Sequence, residues 1–397
     1  MNRSGKIFGP GILVTAAFIG PGTVTVCLLA GNKFSYSLLW ALFFAIVATT
    51  VLQEMSARLG LVTKAGLSEA IAKMVTGKWL KFIVFCMIII GILIGNAAYE
   101  AGNISGTLIG IRLVAGNHMT DVFYNSIIYF LSFGLLFFGT YKIMENFFIG
   151  IVGLMSIAFI AAAILCKADI FLILKGFFYP TIPSGSILTV VGLVGTTVVP
   201  YNLFLHAAMI KNKWNDISDL KKVKKDTYIA IIIGGLISAS IIITGASTFG
   251  NEIKGMNDLA LSFTDIYGVT GKYLFGFGIF AAGFTSTITS PLAASLVAKG
   301  LFGWNDNSDL YKTRLVWISV LTIGFVFASL GYKPIEIIKS AQFVNGLLLP
   351  LIAGFLLWAV NQKIIMKSNT NTVWQNIGGF TVLMIVICLG LKGVGVI

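Results

Sequence analysis

Residues 17–26 read AFIGPGTVTV and residues 194–206 read VGTTVVPYNLFLH, so each of two long apolar stretches carries a proline near its middle. Proline removes a backbone hydrogen-bond donor and clashes with the preceding helical turn, and glycine adds no preference for continuing a helix. Both stretches are therefore predicted to be membrane helices that are interrupted in mid-membrane. We expect the interruptions to lie around residues 20–23 and 196–202.

The rest of the chain is almost as apolar as these two stretches. Of its 397 residues, 57% are hydrophobic and only 11% are charged, whereas a soluble domain carries about 25% charged residues. A membrane-spanning helix needs about 20 apolar residues, and windows of that length predict an all-α polytopic membrane protein with eleven spans. The predicted spans are residues 8–30, 37–60, 80–111, 122–140, 147–166, 188–209, 227–249, 270–299, 314–331, 336–360 and 374–394.

The net charge of +13 arises from 28 Lys and Arg residues against 15 Asp and Glu residues. When the predicted loops are assigned to alternate sides of the membrane, most of the basic residues fall on the side of the N-terminus. Because basic loops stay in the cytoplasm, we expect a cell-membrane protein with its N-terminus inside and its C-terminus outside. The lipid bilayer explains the charge, which does not indicate a nucleic-acid partner.

The two interruptions fall in spans 1 and 6, five helices apart. Two units of five helices have opposite orientations in a membrane because five is odd, and interrupted helices at matching positions are typical of inverted-repeat transporters. The sequence therefore predicts one transporter domain with repeats over residues 1–166 and 188–360 and an added helix over residues 374–394. A small solute is expected between the breaks, where unpaired backbone groups are tolerated if they line a cavity.

The sequence lacks the motifs that are typical of other classes of protein. The four cysteines are scattered through apolar runs, without the spacing of a zinc site or a disulfide framework. There is no phosphate-binding loop, dinucleotide fingerprint or catalytic triad spacing. We predict neither an enzyme nor a resident cofactor, and the lack of a nucleotide site favours secondary transport over a primary pump.

Several segments resemble the NRAMP family of metal-ion transporters. They are the first break with the apolar residues around it, QEMSARLG followed by LVT at residues 53–63, TTVVPYNLFLH at 196–206, AAGFTSTITS at 281–290 and AQFVNGLLLP at 341–350. The matches follow the family's order over most of the chain. The resemblance implies the LeuT-type fold, with eleven helices in an inverted five-plus-five repeat with helices 1 and 6 broken, and transport of divalent metal ions with protons.

The resemblance also implies a set of site residues. Those at the substrate are Gly20, Thr23, Thr196, Val199, Tyr201, Asn202 and Gln342. Those on the proton pathway are Glu100, Asn103 and His206, of which Glu100 stands at a family aspartate and Asn103 at a family glutamate.

Departures from the family pattern fall on the groups that bind the metal. The family's first break reads Asp-Pro-Gly-Asn, whereas this chain has Gly20 at the aspartate and Thr23 at the asparagine. Val199 replaces a methionine and Tyr201 replaces a histidine of the sixth helix. A divalent ion normally needs carboxylate oxygens in compensation for its water. The substrate is therefore either a metal cation bound with atypical selectivity or a small non-metal solute, and a membrane sensor or scaffold without transport is a further alternative.

Three polar side chains of the spans have more than one interpretation. Glu100, with Asn96 and Asn103 on its helical face, is either a proton or charge carrier or an acid paired near the membrane surface. His206 is either a proton relay or a structural hydrogen-bonding residue. Glu54 precedes Arg58 by four residues and is interpreted as an ion pair at the cytoplasmic end of span 2. The hydroxyl residues of span 8 are interpreted first as close helix packing.

Overall fold

The computed structural model describes residues 9–250, 256–305, 307–331 and 334–393. The side chains of residues 334–347 and 392–393, and of most residues between 256 and 266, lie outside this description. Throughout the described residues the regular elements are helices, as the composition predicts.

The helices of the N-terminal part are α1 (Gly11–Phe18), α2 (Pro21–Phe34), α3 (Leu39–Thr63), α4 (Leu67–Met74), α5 (Lys78–Ala115), α6 (Asp121–Phe138), α7 (Tyr141–Leu165) and α8 (Ile170–Phe178). Those of the C-terminal part are α9 (Ile187–Thr197), α10 (Pro200–Ile210), α11 (Leu220–Ala246), α12 (Met256–Phe302), α13 (Leu310–Ser329), α14 (Pro334–Asn361), α15 (Lys363–Met366) and α16 (Val373–Gly393). Helices α1 with α2, and α9 with α10, are the two interrupted spans.

Helices occupy all eleven predicted spans. Among the described residues, nine helices are long and apolar enough to cross a membrane, or ten when the bent pair α1–α2 is included. Helix α14 is described only in part, so the count of eleven stays a prediction. Three predicted starts were wrong: α7 begins at Tyr141 rather than at residue 147, α11 at Leu220 rather than at 227, and α12 at Met256 rather than at 270, with the non-helical Gly268 inside it. In α7 the Thr140 side chain accepts a hydrogen bond from the Ile143 amide and caps the helix earlier.

Both predicted breaks are present, and each is two residues long. Ile19 ends α1 at φ −94° and ψ 74°, and Val198 ends α9 at φ −95° and ψ 74°. Gly20 and Val199 follow in extended conformations. The breaks are shorter than the sequence predicted because Pro21 and Pro200 each start the next half-helix, where a fixed φ and a missing amide cost nothing. Thr23, Tyr201 and Asn202 are consequently helical residues.

Helix α11 packs against both halves of the first interrupted span. Where it crosses α2, the two backbones touch. A Cβ placed on Gly31 of α2 would lie 2.1 Å from the Ile242 carbonyl oxygen, and one placed on Gly245 of α11 would lie 2.3 Å from the Leu28 carbonyl oxygen. Glycine at both positions therefore allows the crossing, as small residues do at membrane helix interfaces, and it fixes α2 in place.

We expect Gly245→Ala to lower the free energy of unfolding by about 1–3 kcal/mol, because the added methyl forces the α2–α11 crossing apart. The matched control is Gly153→Ala in α7, where a Cβ would meet no atom within 4 Å and the better helix propensity of alanine leaves stability unchanged or raised. Thermal melting of both variants in the same detergent checks this. Equal melting temperatures for the two variants would contradict the backbone contact.

Candidate functional site at the two helix breaks

The C-terminal end of α1 presents carbonyl oxygens toward α10. The last carbonyls of a helix have no partner within it, and no water replaces such a partner inside a membrane. The Tyr201 hydroxyl donates to the Ala17 carbonyl at 2.8 Å, and the Asn202 side-chain amide donates to the Val14 carbonyl at 3.0 Å. Tyr201 thus satisfies a carbonyl of the last turn of α1, and Asn202 adds a hydrogen bond to a carbonyl one turn earlier.

Thr23 joins the two breaks. Its hydroxyl donates to the Phe18 carbonyl at the end of α1 and lies 3.3 Å from the Thr196 carbonyl near the end of α9. The Thr196 hydroxyl bonds within its own helix to Leu193 at 3.2 Å. Thr196 therefore turns its backbone oxygen, and not its hydroxyl, toward Thr23. The structure brings both predicted residues together at the point where the two half-helices end.

Val199 offers no ligand to the site. It is the extended residue before α10, and its buried side chain belongs to the hydrophobic core. An aliphatic side chain at this position leaves only backbone oxygens at the second break. The soft ligand that the family resemblance implies here is therefore absent, in agreement with the sequence.

Gly20 leaves space beside the first break. A Cβ at this half-buried residue would lie 2.8 Å from the Ser286 hydroxyl oxygen of α12 and 3.6 Å from the Asn103 amide oxygen of α5. Among the described residues, the buried Ser286 hydroxyl has no hydrogen-bond partner. A hydroxyl and an amide oxygen therefore border the space that the family's aspartate would fill.

Glu100 is connected to this space through Asn103. It is fully buried, and the Asn103 side-chain amide donates to its Oε2 atom at 3.2 Å. Its Oε1 atom has no partner among the described residues. Asn96, which shares the helical face of Glu100, instead donates to the Ser290 carbonyl of α12 at 2.9 Å. On its other side Glu100 packs against Gly324 of α13.

His206 lies further along α10 and is also fully buried. Its Nδ1 atom lies 2.9 Å from the Gln53 side-chain oxygen of α3. Because an amide oxygen only accepts, this contact assigns the ring proton to Nδ1 and leaves Nε2 as an acceptor. Nε2 has no partner among the described residues. One nitrogen of His206 is thus fixed structurally and the other is available to a proton.

The remaining predicted site residue, Gln342, belongs to α14 but its side chain lies outside the described residues. Sequence reasoning missed two contributors from other helices. The Thr49 hydroxyl of α3 lies 3.4 Å from the Thr197 carbonyl at the end of α9, and Gln53 orients His206. Both lie in span 2, and their spacing of four residues on one helix face is the signal that could have placed them together.

Acidic side chains are scarce around the breaks. No group of three or more His, Cys, Asp or Glu residues that could hold a metal ion occurs among the described residues. The predicted Glu54–Arg58 ion pair is confirmed at 3.0 Å, and Lys224 also lies 3.0 Å from Glu54. Glu54 is therefore already neutralised, whereas one oxygen of the Glu100 carboxylate has no partner. Each half-helix end adds only about half a unit charge.

Two broken helices, carbonyl oxygens at their ends and, among the described residues, a buried carboxylate with one oxygen free of partners are features of membrane transporters with a site between the breaks. A family model described as natural resistance-associated macrophage protein-like, Nramp, matches residues 11–395. The chain therefore belongs to the Nramp family, as the sequence motifs predicted.

Similarity to individual proteins extends over nearly the whole chain. The divalent metal cation transporter MntH of Caldanaerobacter subterraneus subsp. tengcongensis is 27% identical over 396 residues, which cover 97% of this chain and 91% of the relative. A crystal structure of the Eremococcus coleocola manganese transporter, in complex with an aromatic bis-isothiourea substituted compound, matches with a TM-score of 0.79 at 22% identity. That match covers 97% of this chain and 85% of the other.

The same fold occurs in a protein with a different ligand. The structure of MhsT in complex with L-phenylalanine matches with a TM-score of 0.67 at 15% identity, over 96% of this chain and 97% of the other. The predicted all-α, LeuT-type fold is confirmed, and the protein is an integral multi-pass membrane protein of a transporter family rather than an enzyme. The fold by itself does not select the solute, so the substrate follows from the site.

We expect Thr23→Val to lower the free energy of unfolding by about 1–3 kcal/mol, because it leaves the buried Phe18 and Thr196 carbonyls without their donor. The matched control is Thr25→Val in the same helix. The Thr25 hydroxyl donates only to the Pro21 carbonyl four residues earlier, at 2.7 Å. The Pro21 carbonyl oxygen also faces a backbone amide of the helix, so it keeps a donor when the hydroxyl is removed. Chemical denaturation in detergent micelles compares the two, and an equal loss in both variants would refute a special role for Thr23.

Proposed function

We propose that the protein is a secondary transporter of a metal cation that works by alternating access across the cell membrane. Membership in the Nramp family supports the cation, since relatives such as MntH carry the name of divalent metal cation transporters. The observation that carries the proposal is the meeting of two half-helix ends at Thr23, where carbonyl oxygens of both breaks lie side by side.

The proposed selectivity differs from that of a site built around an aspartate. With Gly20, Thr23 and Val199 at the family's ligand positions, the breaks offer neutral oxygens and no sulfur atom. The softer transition metals favour nitrogen and sulfur ligands, and tight binding of a dehydrated divalent ion such as Mn²⁺ by oxygen ligands needs carboxylates, whereas Mg²⁺ keeps several of its waters and accepts oxygen ligands. We therefore assign to the site a largely hydrated, hard cation of the magnesium type, bound weakly.

Glu100 supplies the negative charge that the family's aspartate would provide at residue 20. This carboxylate is connected through Asn103 to the space at Gly20 and keeps one oxygen without a partner among the described residues. A buried acid favours its neutral form until a cation or water reaches it. When the cation approaches, Glu100 releases its proton, and the resulting negative charge stabilises the cation. His206 is the next proton carrier, and this exchange couples cation transport to proton transport.

The remaining features of the proposal concern orientation and symmetry. The N-terminus lies in the cytoplasm and the C-terminus outside, as the basic loops indicate. The repeats cover residues 1–166 and 188–360, followed by the helix at 374–394. The matching backbone angles of Ile19 and Val198 support this division, since equivalent positions of two repeats should end their half-helices alike.

Metal selectivity tests the proposal directly. Proteoliposomes containing the wild-type protein should take up Mg²⁺ over time, and calorimetry should detect no Mn²⁺ binding in the micromolar range. The triple variant Gly20→Asp, Thr23→Asn, Val199→Met should bind Mn²⁺ at least tenfold more tightly, because it restores a carboxylate and a sulfur ligand. The added side chain at residue 20 requires Ser286 to change its rotamer, since their atoms would otherwise lie 2.8 Å apart.

The matched control is the same triple variant with Gly20→Asn, which has the same shape and lacks only the charge. Equal Mn²⁺ affinity in both triple variants would remove the charge argument. Micromolar Mn²⁺ binding by the wild type would contradict the proposed selectivity. Flux of a small organic solute without any metal flux would favour the non-metal alternative, and ligand binding without any flux would favour a sensor.

Substitution of Glu100 tests proton coupling. We expect Glu100→Gln to abolish uptake or to remove its dependence on pH, because glutamine keeps the size of the side chain but neither binds nor releases a proton. The control Glu69→Gln removes an acid of α4, away from the breaks, and should leave the pH profile unchanged. Uptake is measured in proteoliposomes between pH 5 and pH 8. A folded Glu100→Gln variant with wild-type flux and an unchanged profile would limit Glu100 to a structural role.

A further inference from the structure

The cytoplasmic end of α1 is held by one acidic side chain of α11. The helix begins at a second Gly-Pro-Gly sequence, residues 9–11, and the first amides of a helix have no partner within it. The Gly9 amide donates to Oδ1 of Asp226 at 2.6 Å, and the Gly11 amide donates to Oδ2 at 2.8 Å. Asp226 is only 3% exposed, so both oxygens of a buried carboxylate are bound to one helix start.

The two glycines permit this contact by allowing a close approach. A Cβ on Gly9 would lie 2.3 Å from the Trp214 ring, and a Cβ on Gly11 would lie 2.8 Å from the backbone carbonyl of Asp226. One turn further along α1, the Thr15 hydroxyl donates to the Ala230 carbonyl of α11 at 2.8 Å. From its first residue to its middle, α1 is therefore in direct contact with α11.

The surroundings of Asp226 strengthen the contact electrostatically. A carboxylate at a helix N-terminus is stabilised by the helix dipole, and its bonds to amides are charge-assisted. Lys213 lies 3.2 Å from Glu145 of α7 and 5.3 Å from the centre of the Trp214 ring. Trp214, which packs on Gly9, is thus itself positioned by a cation–π contact with Lys213. The end of α10 and the start of α11 enclose the start of α1 between them.

The two halves of the first interrupted span differ in how they are held. The outer half, α2, touches α11 through backbone atoms at Gly31 and Gly245. The inner half, α1, has only eight residues, is bent by 58° from α2, and is joined to α2 by a two-residue break. The backbones of α1 and α11 also approach closely at Gly11, but among the described residues the hydrogen bonds between α1 and α11 depend on the side chains of Asp226 and Thr15. Because α1 is short and joined to α2 by a break, it can move away from α11 while α2 stays in place.

We propose that Asp226 is the latch of the inner gate. Its carboxylate holds α1 over the cytoplasmic side of the site, and release of the Gly9 and Gly11 amides opens the site to the cytoplasm. The inference rests on alternating access with a cytoplasmic N-terminus, but not on which cation is carried. Asp226 does not touch the substrate site and is a positioning residue for the transport cycle.

The test uses an engineered thiol on the face that α1 covers. Ala230→Cys is introduced into a chain whose four native cysteines are replaced by alanine, since a Cβ at Gly11 would lie 2.9 Å from that of Ala230. The rate of modification by N-ethylmaleimide is measured without substrate. We expect Asp226→Asn to raise the rate about tenfold, equivalent to about 1.4 kcal/mol, because the amide group of asparagine cannot accept both hydrogen bonds.

A second thiol separates gate opening from general loosening. Gly192→Cys of α9 lies at the contact with Val26 of α2, on the outer side of the breaks. Opening of the inner gate leaves the modification rate at this thiol unchanged or lowers it, whereas a loosened fold raises the rate at both thiols. A rise at both thiols in Asp226→Asn would overturn the proposal.

The matched control is Asp219→Asn, which removes an acid at the start of the same helix that pairs with the exposed Lys222 and does not touch α1. Its modification rate at Ala230→Cys should equal that of the parent, and an increase as large as that of Asp226→Asn would also overturn the latch. If Asp226→Asn does not fold, Asp226→Glu decides, because the longer side chain keeps the charge but misplaces one oxygen. An unchanged rate in the folded Asp226→Glu variant then counts against the proposal.

Discussion

Backbone groups that lose their helical partners inside a membrane must find new ones within the protein, because lipid offers none. The two breaks at Ile19–Gly20 and Val198–Val199 create this requirement, and side chains of the surrounding helices provide the hydrogen-bond partners. Thr23 binds the ends of both α1 and α9, and Tyr201 and Asn202 bind carbonyls of α1 from across the interruption. The same polar side chains therefore hold the broken helices together and border the candidate site.

Charge distribution is the second constraint on the site. A carboxylate at residue 20 would place a full negative charge between the half-helices, whereas Gly20 leaves a space bordered by the oxygens of Ser286 and Asn103. The carboxylate of Glu100 is one hydrogen bond away from that space. Moving the acid from the break to a neighbouring helix lowers the field at the carbonyl oxygens and makes the bound state of any dehydrated divalent ion less favourable.

Helix α11 contacts both halves of the first interrupted span. It fixes α2 by direct backbone contact at Gly31 and Gly245, and it holds α1 through the side chain of Asp226. Backbone contacts that depend on missing Cβ atoms persist unless whole helices move, whereas two hydrogen bonds to one carboxylate are exchanged at modest cost. One helix thus supports both halves of the same interrupted span, and the proposed release concerns only the half that Asp226 binds.

The sequence by itself determined the fold class, the two breaks and the family. Hydrophobic windows, Pro21 and Pro200, and the order of the motifs carry this information locally, because a proline removes a backbone hydrogen bond and favours a kink or a break at its own position. The Glu54–Arg58 pair also followed from spacing alone. The departures at Gly20, Thr23 and Val199 could likewise be read directly from the sequence, since each replaces one side chain at a recognisable position.

Only the tertiary structure decided which polar groups meet. Asn96 and Asn103 are equivalent neighbours of Glu100 on a helical wheel, yet the position of α12 directs Asn96 to Ser290 and leaves Asn103 to Glu100. Asp226 is an ordinary acid of a basic loop region in the sequence, and its role arises because α11 lies beside a helix start that is 217 residues away in the chain. Contacts between distant segments depend on how helices pack, and no local pattern records that packing.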